Sequence, residues 1–118
     1  MQGERFSTMR RLFNDEKTLV RVLGAFGVAT RDDLRALGEA HDRLDLRGIA
    51  EIAHKLKSAC AQVDDEATAE CLDALEDAAA MGTSPALVTS LVDEATVRVA
   101  ELADAVDAYV AAHGTDAR

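Results

Sequence analysis

Ile52-Ala53-His54-Lys55-Leu56-Lys57-Ser58-Ala59-Cys60 decides how this chain folds. With its flanks included, Ile49, Ile52, Ala53, Leu56, Cys60 and Val63 fall at i, i+3, i+4, i+7, i+11 and i+14. That spacing is one apolar stripe of a helix with about 3.6 residues per turn. Ala50, His54, Lys57, Ser58 and Ala61 lie beside the stripe, on a flank of their own. The pattern predicts a helix from about Leu46 to Val63, with the His54 ring reachable at the edge of a core.

The neighbouring segments are also helical. On the N-terminal side, Asp45-Leu46-Arg47-Gly48 reads as a turn into this helix, with Asp45 as its N-cap, because a short carboxylate accepts the unpaired N–H groups of a first turn. Before it, Leu19, Val22, Leu23, Phe26, Leu34 and Leu37 recur at helical spacing, with Ala40 and Leu44 as further candidates. Gly24, Gly27 and Thr30 weaken the middle of that run. It predicts either one long bent helix or two helices joined near Ala29–Thr30. Phe6, Met9, Arg10 and Phe13 suit a short helix over 4–13 that must pack on something to persist. Asn14 and Asp15 offer cap chemistry after it.

On the C-terminal side, Asp64-Asp65-Glu66 is an acidic turn and a helix start, since carboxylates favour the positive end of the helix dipole. A helix over about Asp65–Met81 would turn Ala67, Cys71, Leu72, Leu75 and Ala79 inward. Gly82-Thr83-Ser84-Pro85 ends it, with Ser84 as N-cap and Pro85 at the first position of the next helix. From Pro85 to about Ala112, Val88, Val92, Ala95, Val99, Leu102, Val106 and Tyr109 alternate steps of four and three, the seam of a helical bundle. Gly114 closes this helix, and Thr115–Arg118 are expected to fray. The expected fold is all-α: an antiparallel four-helix bundle with a short N-terminal helix, one domain over 1–118 with its core at about 5–112.

Composition agrees and excludes several classes of function. The chain has 118 residues, 48% of them hydrophobic, with 3% aromatics, one proline and no tryptophan. That is one small domain rich in helix formers. The net charge of −9 opposes nucleic acid binding, and no basic stripe interleaved with aromatics offsets it. No apolar run approaches the roughly 20 residues of a membrane span, and Met1-Gln2-Gly3-Glu4-Arg5 lacks the core of a signal peptide. A cytoplasmic protein is expected. Cys60 and Cys71 lack metal-site spacing and read as small buried apolar residues. No metal site is expected.

Among the three histidines, His41 and His113 read as structural or surface residues, the latter at the cation-favouring end of its helix. His54 differs in its neighbours. Lys57, three residues on, shares its face and could balance the charge of a phosphate on the imidazole. Ser58, four residues on, is small and leaves room for another surface to approach the ring. Lys55 points away from that face.

The stretch Ala53-His54-Lys55-Leu56-Lys57-Ser58-Ala59 resembles the A-H-x-L-K-G/S-x signature of histidine-containing phosphotransfer (HPt) domains. The likeness continues through Gln62, where such domains often carry Asn or Gln, and through Leu72–Glu76, similar to their L-x-x-L-E stretch. The resemblance implies a phosphorelay shuttle of a two-component system. His54 would accept a phosphoryl group from a receiver aspartate or a kinase and pass it to another receiver domain. Nε2 would be the nucleophile, and Glu76, on the facing helix, would hold the proton on Nδ1. Response-regulator receiver domains and a histidine kinase are the implied partners. The receiver would bring magnesium, so the chain needs no cofactor of its own. It would be a phosphocarrier rather than a turnover enzyme, without ATP binding. Two departures stand out: Ser58 replaces the more usual Gly, and Asp64 stands where many members have Gly. The docking surface of such domains lies around the histidine, so Phe6, Met9 and Phe13 are either docking residues or core.

The competing reading is a non-catalytic helical adaptor, or a module that dimerises through the last helix's heptad stripe, indifferent to His54. A monomer is expected over a dimer, and the start at Met1 favours a free-standing domain. No Ser-His-Asp or Cys-His arrangement and no Gly-rich phosphate loop supports another enzyme class.

Overall fold

The computed structural model of the chain describes residues 6–114. Five helices account for nearly all of it: α1 Ser7–Leu12, α2 Glu16–Asp42, α3 Leu46–Gln62, α4 Glu66–Ala80 and α5 Pro85–Gly114. No strand occurs among the described residues. The expected start of the first helix before Phe6 and the expected fraying of Thr115–Arg118 lie outside them.

The connections after α2, α3 and α4 share one design. A left-handed residue follows each helix: Leu44 (φ 56°), Asp64 (φ 65°) and Gly82 (φ 64°). The amide of the next residue then reaches back to the helix, as Asp45 N–H to Ala40 O, Asp65 N–H to Cys60 O and Thr83 N–H to Ala78 O. These six-to-one bonds satisfy carbonyls that a helix end would otherwise leave unpaired. A capping side chain starts the next helix at once. Asp45 accepts from Gly48 N–H, Asp65 from Thr68 N–H and Ser84 Oγ from Leu87 N–H. α3 starts at Leu46 with Asp45 as its N-cap, as the sequence predicts, so Leu46–Gly48 are its first turn. One expectation changes here. Leu44 is 75% exposed rather than part of the apolar stripe, because its backbone has already left the helix.

The uncertain middle of the second segment is one unbroken helix of 27 residues. A glycine in a helix interior costs only about 1 kcal/mol relative to alanine, and packing offsets it. At Gly27 the missing side chain is itself used. A Cβ there would lie 3.3 Å from Asp107 Oδ1 and 3.6 Å from Val106 Cγ1, so the glycine lets α2 approach α5 closely. Thr30, also in the weak middle, is buried.

α2 packs on α3, α3 on α4, α4 on α5 and α5 back on α2. Inside this ring sit Leu19, Leu23 and Leu37 from α2, Ile49, Ala53, Leu56 and Cys60 from α3, and Leu72 and Leu75 from α4. The heptad stripe of α5, from Val88 to Tyr109, is buried in the same core. Each such leucine or isoleucine contributes about 1.5–3 kcal/mol by leaving water. α4 has one correction: Ala67 is exposed, whereas Thr68 and Ala69 are buried. The Asp65 cap sets the start of the helix, and that start fixes its rotational phase.

α1 closes one end of the core. Phe6 and Met9 are buried, and the Phe6 ring meets Tyr109 edge-on with centroids 5.3 Å apart. Phe13 packs against the core partly buried. Of the two roles open to these residues, Phe6 and Met9 serve the core. Asp64 fastens α1 in place: its carboxylate accepts from Ser7 Oγ, Thr8 N–H and Thr8 Oγ1.

Candidate functional site

His54 stands midway along α3 on the flank beside the stripe, its side chain 63% exposed. Ala53 and Leu56, on either side of it in sequence, are fully buried and fix the helix against the core. The ring is therefore carried by a rigid element while its far edge remains open to solvent. α4 runs alongside α3. Glu76 on α4 places Oε2 3.1 Å from His54 Nδ1. The shallow depression around the ring is lined by Ala50, Glu51, His54 and Glu76.

The second rung of contacts lies one turn further along. Lys57 Nζ donates to Glu76 Oε1 at 2.8 Å and to Asp73 Oδ1 at 2.9 Å. Asp73 and Glu76 are three residues apart and so share one face of α4. Glu76 thus uses one oxygen for the imidazole and the other for the ammonium. The Lys57 contact, then the His54 contact, holds the Glu76 carboxyl below the usual carboxylate range, against a partial desolvation that pushes the other way. The hydrogen bonds that Lys57 donates to Glu76 and then Asp73 push it above the usual lysine value.

These facts decide the imidazole's tautomer. An ionised carboxylate only accepts hydrogen bonds, so Nδ1 must carry the proton. In the neutral ring, Nε2 then holds the lone pair. Nε2 has no hydrogen-bond partner among the described residues, on a side chain that is 63% exposed. The arrangement offers a nitrogen nucleophile whose ring orientation and proton are both set by Glu76.

The other residues singled out in the sequence are placed as follows. Ser58 is exposed one turn beyond His54 and makes no side-chain hydrogen bond among the described residues. Lys55 reaches away to α2, where its ammonium meets Asp33 at 3.2 Å. Gln62 is the last residue of α3 and exposed. Eight residues of helix rise put it roughly 12 Å along the axis from His54, so the fold does not bring the two together. The sequence reading missed both carboxylate partners of Lys57, Glu76 and Asp73. The i, i+3 spacing of Asp73 from Glu76 was the available signal.

The remaining histidines have local bonds. His41 Nε2 lies 3.0 Å from Thr89 Oγ1, beside a mostly apolar cavity of about 150 Å³ under Leu44, Leu46 and Pro85. His113 stacks on Tyr109 and donates from Nδ1 to the Tyr109 carbonyl at 2.9 Å. Both cysteines are buried and unbonded, and burial pushes the Cys60 thiol up to about 12. Among the described residues, no cluster of three or more His, Cys, Asp or Glu could hold a metal ion. No helix there is long and apolar enough to cross a membrane.

A family model described as Hpt domain matches residues 21–112, which span α3, α4 and most of α2 and α5. No curated protein and no solved structure matches the chain.

Proposed function

This chain belongs to the Hpt domain family, and on that premise we propose that it is a histidine phosphotransfer protein with His54 as the residue that carries the phosphoryl group. It accepts that group from the aspartyl phosphate of a receiver domain, or from a histidine kinase, and passes it to another receiver in a two-component phosphorelay. The observation that carries this reading is the 3.1 Å contact between His54 Nδ1 and Glu76 beside an open Nε2.

In the forward step the Nε2 lone pair forms a bond to phosphorus in line with the carboxylate oxygen. The O–P bond breaks, and its electron pair leaves with the carboxylate. The ring keeps its Nδ1 proton and becomes a phosphoimidazolium, whose positive charge faces the Glu76 carboxylate. On discharge the N–P electron pair returns to Nε2, and a neutral imidazole leaves. The transition state is loose, so orientation and charge balance are the carrier's main contributions. Magnesium and the acidic pocket belong to the receiver in this scheme. The chain acts as a phosphocarrier without a cofactor or ATP site of its own.

The same reading has the four long helices forming an antiparallel four-helix bundle. Contact order supports it: Glu16 meets Tyr109 and Arg31 meets Asp104, while His54 meets Glu76 and Lys57 meets Asp73. A monomer in the cytoplasm completes the proposal. The apolar stripe that would otherwise invite dimerisation through α5 lies within the chain's own core.

The test is a transfer assay with phosphorylated receiver domains and the His54→Gln variant. Wild type should take label at His54, and the variant should take none. Equal labelling of the variant would overturn the assignment, and partner binding that ignores His54 would favour the adaptor reading.

A further inference from the structure

We propose that Asp73 is a positioning residue for this site. By holding Lys57 down on α4, it leaves the phosphohistidine short of a counter-cation and keeps the phosphoryl group transferable in both directions. The inference rests on His54 being the phosphoryl carrier.

The three cations of α3 are each paired. Lys55 is bonded to Asp33, Arg47 faces Glu51 at 3.7 Å, and Lys57 is bracketed by Asp73 and Glu76. Lys57 is the one within a turn of His54 on its face. It is also the most enclosed of them, its side chain 27% exposed. An ammonium has three donors on a flexible stem. Glu76 and Asp73 take two of these and together hold Nζ over α4; released from Asp73, Nζ could keep Oε1 and swing toward a phosphoryl oxygen on the adjacent ring. Asp73 supplies the competing acceptor, at 2.9 Å, on the side away from His54's partner carboxylate.

The consequence concerns equilibrium. A charge-assisted bond from Lys57 to the phosphoryl group would stabilise the phosphorylated carrier. A carrier that both accepts and donates works best when that state is not a deep well. Asp73 also adds its own negative charge near a phosphoryl dianion, on a chain already at −9. Both effects favour release.

The test needs no partner protein. Phosphoramidate transfers its phosphoryl group to a histidine nitrogen: its P–N bond breaks, the Nε2–P bond forms, and ammonia leaves with the electron pair. The position of this exchange is read by phosphorus NMR at fixed ammonium for wild type, Asp73→Asn, Lys57→Met and the double variant. Asp73 is more than half exposed, so the substitutions should leave the fold intact. Asp73→Asn is expected to shift the exchange toward phospho-His54 by roughly three- to tenfold. The shift should shrink in concentrated salt, shrink markedly in the Lys57→Met background, where only the charge of Asp73 itself still acts, and be absent in Asp73→Glu. No shift would overturn the proposal. So would an equal shift without Lys57, because Asp73 would then act only through its own charge. The receiver assay above judges the carrier reading separately. A wild type that charges from receivers while Asp73→Asn stays at the wild-type exchange sinks this inference alone.

Discussion

Glu76 holds His54 through one carboxylate oxygen, at 3.1 Å from Nδ1, and Lys57 through the other, at 2.8 Å. The same side chain therefore sets the tautomer of the ring and is itself kept ionised by the lysine. Replacing Glu76 with Ala should slow phosphoryl transfer by roughly 10- to 100-fold, the usual cost of losing a partner that orients a functional histidine. Glu76→Gln retains an accepting oxygen and should fall between Ala and wild type. Rates from rapid-quench labelling at saturating receiver check this order. Nitrogen NMR of the ring should show the Nδ1–H tautomer in wild type and a mixture in Glu76→Ala.

Asp64 anchors α1 through three hydrogen bonds, of which the Thr8 hydroxyl bond is the shortest at 2.6 Å. These bonds, Thr8's foremost, pull the Asp64 carboxyl below its ordinary value. A depressed folded-state value means that the contribution is complete above the unfolded value of about 4 and is lost as pH falls through the folded one. Asp64→Asn should cost about 1–2 kcal/mol at neutral pH. Urea titrations should show the gap to wild type closing below about pH 4.

Leu44 and Asp64 both adopt left-handed backbone, where a side chain is strained by about 1–2 kcal/mol. Leu44 is exposed, so Leu44→Gly relieves strain and gives up little packing. It should stabilise the domain by up to about 1 kcal/mol, some 4–8 °C in Tm. Asp64→Gly relieves the same strain but releases α1, and it should stabilise less or destabilise. Thermal melts of the two variants side by side test the contrast.

Two of the three glycines of α2, Gly24 and Gly27, should respond in opposite ways. Nothing beyond its own stretch of helix lies within 4 Å of a Cβ built at Gly24, so Gly24→Ala gains helix propensity and should stabilise by about 0.5–1 kcal/mol. At Gly27 a side chain meets Asp107 and Val106 of α5. Gly27→Leu should push the helices apart and cost about 1–3 kcal/mol. Calorimetry of both variants measures the difference.

Much of this molecule was legible in its sequence because helical periodicity is a local property. The stripes at Ile49–Val63 and Val88–Tyr109 gave two helices and their buried faces, and Asp45, Asp65 and Ser84 marked where helices begin. The flank of α3 placed His54 at the rim of the core, as its exposure shows. Other features depended on which helix lies beside which. Whether Gly24 and Gly27 broke α2 turned on α5 packing against it. Leu44 left its stripe because backbone closure of the turn outranked the burial of one side chain. Lys57 shares a face with His54 by its spacing, but that Asp73 and Glu76 stand beside it was set by the fold. Sequence spacing fixes which residues share a face of one helix. Only the packing of α3 on α4 decides which charges meet across the gap, because an ion pair forms over a few ångströms of space and is blind to separation along the chain.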